Sequence, residues 1–128
     1  MEGFRTALLV AGGGAAGCVA RWAASEWLRG RLGARFPWGT LAVNLAGCLA
    51  IGLVLTLLAE RLPESRAWRP ALVVGFLGGF TTFSAFSFEA DALLRDAEWT
   101  RAAAYLLGSV ALGLLAVRAG VALGRAVA

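Results

Sequence analysis

Between Pro70 and Phe88 the chain carries no charge, yet it holds four hydroxyls in seven residues: Thr81, Thr82, Ser84 and Ser87. They lie within GFLGGFTTFSAFSFE, from Gly75 to Glu89, behind the adjacent glycines Gly78 and Gly79 and among Phe76, Phe80, Phe83, Phe86 and Phe88. Each glycine weakens a helix by roughly 1 kcal/mol against alanine. Hydroxyls and freed carbonyls then offer polar ligands in an apolar setting. Irregular backbone at membrane depth persists only where protein or a water-filled path covers it. The stretch therefore reads as a broken transmembrane helix lining something, or as a Gly/Ser/Thr-rich packing face.

Other chemistry is sparse. There is no His, so no Ser-His-Asp or Cys-His set can form, and there is no acidic cluster for a catalytic metal. An enzyme is not expected. Cys18 and Cys48 stand alone beside glycines, without zinc spacing, and read as packing residues. Asn44 is the one strongly polar residue of its apolar segment, either an interhelical hydrogen bond or a ligand. Arg21 lies inside the first apolar segment. A membrane-embedded Arg costs at least ~2.5 kcal/mol near mid-bilayer, so it needs a partner, water or a route to the interface. Trp22 and Trp27 are belt residues that suit the interfacial alternative.

The composition sets the solvent. The chain has 128 residues, 59% of them hydrophobic and 16% charged, with a mean hydropathy of +0.74. That describes a polytopic membrane protein of one domain, residues 1–128. Apolar segments predict spans over residues 6–28, 39–59, 70–94 and 102–123, the third broken near Gly78–Thr81. The 21 residues of the second give roughly 31 Å of helix, enough to cross. Arg5 ahead of an apolar run ending at Cys18 faintly resembles a lipoprotein signal, but residues 6–28 read as a retained span. Gly13 and Gly17 offer a small-xxx-small face to another helix. Pro70 suits a first helical turn. Tyr105, Ser109 and Gly113 recur every four residues and share one face of the fourth span.

All twelve basic residues are arginine, and they cluster at segment ends rather than on one face. Nucleic-acid binding does not follow. With four spans both termini share a side, which carries Arg5, Arg61, Arg66, Arg69 and Arg125, with Arg118 snorkelling towards it from near the end of span four. The opposite loops, 29–37 and 95–101, carry Arg29, Arg31, Arg35, Arg95 and Arg101. The positive-inside rule gives no orientation. Insertion both ways up is expected, with two copies closing as an antiparallel homodimer.

Three motifs, GGAAGCVARW (Gly13 to Trp22), PWGTLAVNLAG (Pro37 to Gly47) and GFLGGFTTFSAFSFE, resemble in order and spacing those of the Fluc/CrcB fluoride channels, across all four spans. The resemblance implies a passive, fluoride-selective channel of the prokaryotic plasma (inner) membrane, relieving fluoride toxicity. It implies a dual-topology antiparallel homodimer with two pores and a structural sodium ion at its centre. Carried onto this chain, Gly78 and Thr81 would offer main-chain carbonyls to sodium. Phe83, Phe86, Asn44 and Ser109 would line the pore, and Arg21, Tyr105 and Glu89 would lie near the pore or its vestibule. Ala85 replaces the usual Thr, removing a hydroxyl from the polar track. Cys18 and Trp22 depart from the usual Ala and Tyr as packing changes.

The chemistry fits that expectation. A fluoride pore must replace a strong hydration shell with donors. The Asn44 amide and the hydroxyls of Thr82, Ser84, Ser109 and Tyr105 can donate. Phenylalanine edges are positive, and Phe83 and Phe86 fall on nearly one helix side. Two rivals share the four-span plan: a small multidrug transporter, which needs an embedded acid in span one, and a non-conducting assembly subunit. Span one offers Arg21, with Glu26 only near its end.

Overall fold

The structure, a computed structural model, describes residues 1–61 and 68–127. Helix α1 is Glu2–Leu32 and α2 is Trp38–Glu60. Helix α3 winds as a π-helix over Pro70–Leu77 and closes with an α-helical turn, Gly78–Phe80. Helix α4 is Phe83–Arg95 and α5 is Trp99–Val127. Four segments are long and apolar enough to cross a membrane: α1, α2, Pro70–Arg95 as a whole, and α5.

The spans stand where hydropathy puts them, but α1 and α5 run further than expected. Hydropathy marks the lipid-covered length, whereas backbone hydrogen bonding continues into the polar ends. Arg29 and Arg31 therefore belong to the last turn of α1 rather than to a loop. Arginine there also complements the negative helix terminus. Arg66, expected on the side of the termini, lies outside the described residues.

Small residues decide which helices meet. Gly17 of α1 packs so tightly that an added Cβ would lie 2.1 Å from the Phe76 carbonyl oxygen and 2.9 Å from the Phe80 nitrogen. From the other side, a Cβ at Gly79 would lie 2.5 Å from the Gly14 carbonyl oxygen. The small face expected on α1 thus meets a small face on α3, the arrangement that lets apolar helices approach in lipid. Helix α4 instead buries bulk. Phe86 and Ala90 pack with Tyr105 of α5, and Phe36, Leu41, Leu93 and Leu106 close around them.

Much of the remaining apolar surface faces outward. Phe4, Val19, Trp22, Val74, Phe83, Phe88, Leu107, Leu114 and Leu115 are all exposed on the single chain. For a soluble domain this would be a fault. For a chain solvated by lipid, or by a second copy, it is the required finish.

Candidate functional site

The break in the third span falls at Thr81 and Thr82, both extended, with φ/ψ of −91°/156° and −149°/121°. Gly78 and Gly79 remain helical. The cause is competition for backbone groups. The Thr81 N–H closes the last bond of α3 to the Leu77 carbonyl at 3.0 Å, and its hydroxyl donates to the same oxygen at 2.9 Å. In a continuous helix the Thr82 N–H would go to Gly78. Here it donates to Asn44 Oδ1 at 2.8 Å, while Asn44 Nδ2 donates to the Thr82 carbonyl at 2.9 Å. One side-chain amide thus satisfies both backbone groups of the broken residue, much as a neighbouring strand would. The Thr82 hydroxyl then caps α4 by accepting the Ala85 N–H at 3.2 Å.

Helix α2 is cut to fit this clip. Thr40, Asn44 and Gly47 recur at the spacing of one helix face. A Cβ at Gly47 would lie 2.1 Å from Thr81 Cγ2, so only glycine leaves room for the Thr81 methyl beside the amide.

Breaking the helix relieves carbonyls of their usual partners. The Gly78, Gly79, Phe80 and Thr81 oxygens would receive the N–H groups of residues 82 to 85 in a continuous helix. The Thr82 and Ala85 N–H groups go to side-chain oxygens instead. Arg21 enters here: its Nε–H donates to the Gly79 carbonyl at 3.0 Å. Arg21 therefore has a main-chain partner at the negative end of a half-helix.

A second polar cluster joins α2, α4 and α5. Glu89 accepts from Tyr105 OH at 2.7 Å and from Thr40 Oγ1 at 2.8 Å. Tyr105 is fully buried, its ring 5.1 Å from Phe86 and 5.5 Å from Phe36. Thr40 and Glu89 help line a cleft of about 740 Å³, whose wall also includes Arg29, Arg35, Asp96 and Arg101. Thr40 had no place among the residues expected from the sequence. Its signal was there: a hydroxyl one turn before Asn44, on the same face.

The expected pore residues divide into two environments. Ser109 Oγ is buried and has no hydrogen-bond partner among the described residues. Such a group costs about 1–3 kcal/mol, and a transient ligand or water would relieve it. Asn44 keeps one amide hydrogen beyond the one given to Thr82. Thr82 and Ser84 hydroxyls lie 3.3 Å apart, Ser84 on the exposed side. Tyr105 directs its hydrogen to Glu89. Phe83 and Phe86 touch, with centroids 5.7 Å apart and planes inclined by 46°. They differ in burial, however: Phe86 is 9% exposed and Phe83 79%. Gly78 is also exposed, close to the break. Among the described residues no group of three or more His, Cys, Asp or Glu is gathered for a metal.

The chain matches the family model described as "CrcB-like protein, Camphor Resistance (CrcB)" over residues 8–121. It is 52% identical over 118 residues to the "Fluoride-specific ion channel FluC" of Solibacter usitatus, covering 92% of this chain and 97% of that protein. It is 48% identical over 122 residues to the protein of the same name from Rhizobium leguminosarum bv. trifolii, covering 95% and 98%. It is 48% identical over 118 residues to that of Chloroflexus aurantiacus, covering 92% and 94%. Matches of this extent, spanning the clip and all four crossing segments, make the chain a member of the CrcB/FluC family.

Proposed function

We propose that the chain is a passive, fluoride-selective channel of a prokaryotic plasma membrane and works as an antiparallel dual-topology homodimer. The observation that carries this reading is the Asn44–Thr82 clip, which fixes a helix break beside donors and released carbonyls. Fluoride is small and strongly hydrated. Its shell must be replaced by donors that are weak and serial enough to release it. The second Asn44 amide hydrogen, Ser109 and the Thr82–Ser84 pair can supply such contacts, and the Phe83 and Phe86 edges can add the positive rim of an aromatic quadrupole.

The reading needs a partner copy. Phe83 and Gly78 lie on the outside of the single chain, so a path along Phe83 requires a second wall. The nearly balanced arginines permit both orientations. Two broken helices facing each other would then present the Gly78 and Thr81 carbonyls from each chain. Those are hard oxygens suited to a sodium ion, and they add no anionic side chain to repel fluoride. Such an ion would supply a fixed positive charge at the dimer centre. This chain's contribution is to hold the oxygens: Asn44 draws off the Thr82 N–H, and the Thr81 hydroxyl bonds back to Leu77.

Growth provides the test. In a bacterium lacking its own fluoride exit route, expression of this chain should restore growth in fluoride medium, and Asn44→Asp at equal membrane level should not. Restoration by neither would refute the reading.

A further inference from the structure

The carbonyl end of the broken helix already holds a cation, and that cation belongs to the chain. Arg21 Nε–H donates to the Gly79 oxygen, between the two residues whose carbonyls are offered to sodium. Close packing holds α1 there: Gly17, one turn before Arg21, lies against the Phe76 and Phe80 backbone. The guanidinium brings a full positive charge to the break. The described residues place no carboxylate in an ion pair with it, in contrast to Arg29 with Glu26, Arg95 with Asp91 and Arg101 with Glu98.

We propose that Arg21 competes with the cation at the break: it keeps the Gly79 carbonyl for itself and holds a positive charge beside the Gly78 and Thr81 carbonyls. The proposal rests on the sodium reading given above. Two effects follow, with one sign. A carbonyl engaged by an N–H donor is a poorer ligand for a second cation, and like charges repel most strongly in apolar surroundings. Removing the Arg21 charge therefore tightens cation binding. A residue that served only to anchor α1 would do the opposite, since its loss would loosen the carbonyls and weaken binding. For the anion path the arrangement has a use, because it leaves positive charge at the break that does not depend on ion occupancy.

The test uses the purified full-length protein in detergent. Thermal unfolding is followed by tryptophan fluorescence while sodium replaces N-methylglucamine at constant ionic strength. Arg21→Gln removes the charge, Arg21→Lys keeps it, and Arg118→Gln removes an exposed charge elsewhere on α5. The midpoint of the sodium-dependent stabilisation is expected to fall at least about fivefold in Arg21→Gln, while Arg21→Lys and Arg118→Gln stay within about twofold of the unaltered chain. If Arg21→Gln does not assemble, Arg21→Met, similar in stem and uncharged, carries the same expectation. A midpoint unchanged or raised in the uncharged variants overturns the proposal while the sodium reading stands. Failure of both uncharged variants to assemble even in saturating sodium also overturns it, making Arg21 an anchor. An unaltered chain with no response to sodium removes the sodium reading and this proposal together.

Discussion

Asn44 has to serve two partners with one amide, and that limits what can replace it. It accepts the Thr82 N–H and donates to the Thr82 carbonyl. Asp would keep the acceptor, lose the donor and set a carboxylate against a carbonyl oxygen. The orphaned carbonyl alone costs about 1–3 kcal/mol, and the new charge repels any approaching anion. Asn44→Asp is expected to cut fluoride flux at least about tenfold at matched dimer yield. Undiminished flux would reduce Asn44 to a packing residue. The phenylalanines separate packing from conduction in another way. Phe86 is buried, so Phe86→Ile should destabilise the protein by about 1–3 kcal/mol. Phe83 is exposed on the protomer, so Phe83→Ile should cost its fold little. Both should abolish flux if ring edges form the path, because an aliphatic chain has no quadrupole. Phe80, 5.9 Å from Phe76 with near-parallel rings, and Phe88, under the Arg95 guanidinium, are the controls. Equal loss of flux in all four Ile variants, or loss that tracks dimer yield, would contradict an edge-lined path.

At the scale of elements, the helix break was legible in the sequence but its agent was not. Gly78 and Gly79 pointed to weakness, and the chain does break, though at Thr81 and Thr82. The glycines serve another purpose at Gly79, where the Gly14 backbone comes too close for any side chain. The break is made by oxygen atoms: the Asn44 amide across the interface, the Thr81 hydroxyl bonded backward, and the Thr82 hydroxyl capping forward. The first of these is a contact between residues 38 apart, and no local pattern encodes it. A separation of 49 residues likewise hid Thr40, whose partner Glu89 lies on α4. Nor does composition signal the π-helical winding of Pro70–Leu77. The close contact of α1 with α3 is open to test by size. A Cβ at Gly17 meets backbone, which cannot swing aside, so Gly17→Val should destabilise the protein by about 3 kcal/mol or more and reduce dimer yield. At Gly12, inside α1, an added Cβ meets nothing within 4 Å, so Gly12→Ala should not lower thermal stability and should raise it by up to about 1 kcal/mol through helix propensity. Equal behaviour of the two in a melting assay would show that the helices are not in contact as described.

For the whole molecule, hydropathy sufficed to place four crossings because lipid imposes a length on each. Charge argued against a drug exchanger's first span, since the charge inside it is Arg21, which bonds a carbonyl, and Glu26 stands only near its end. An expected pairing of two chains rests on charge and not on hydropathy, since a partner's surface leaves no period in the sequence. Balanced arginines remain the basis for expecting insertion both ways up. In a variant without Cys18 and Cys48, Glu60→Cys should be labelled from both sides of the membrane by an impermeant reagent. Labelling from one side only would defeat the antiparallel dimer. The central claim is that the clipped break forms a fluoride-selective path, and ion efflux from liposomes containing the purified chain tests it most directly. With the membrane potential shunted, fluoride should leave rapidly and chloride should be retained. Equal efflux of the two anions, or none of either from dimeric protein, would contradict it.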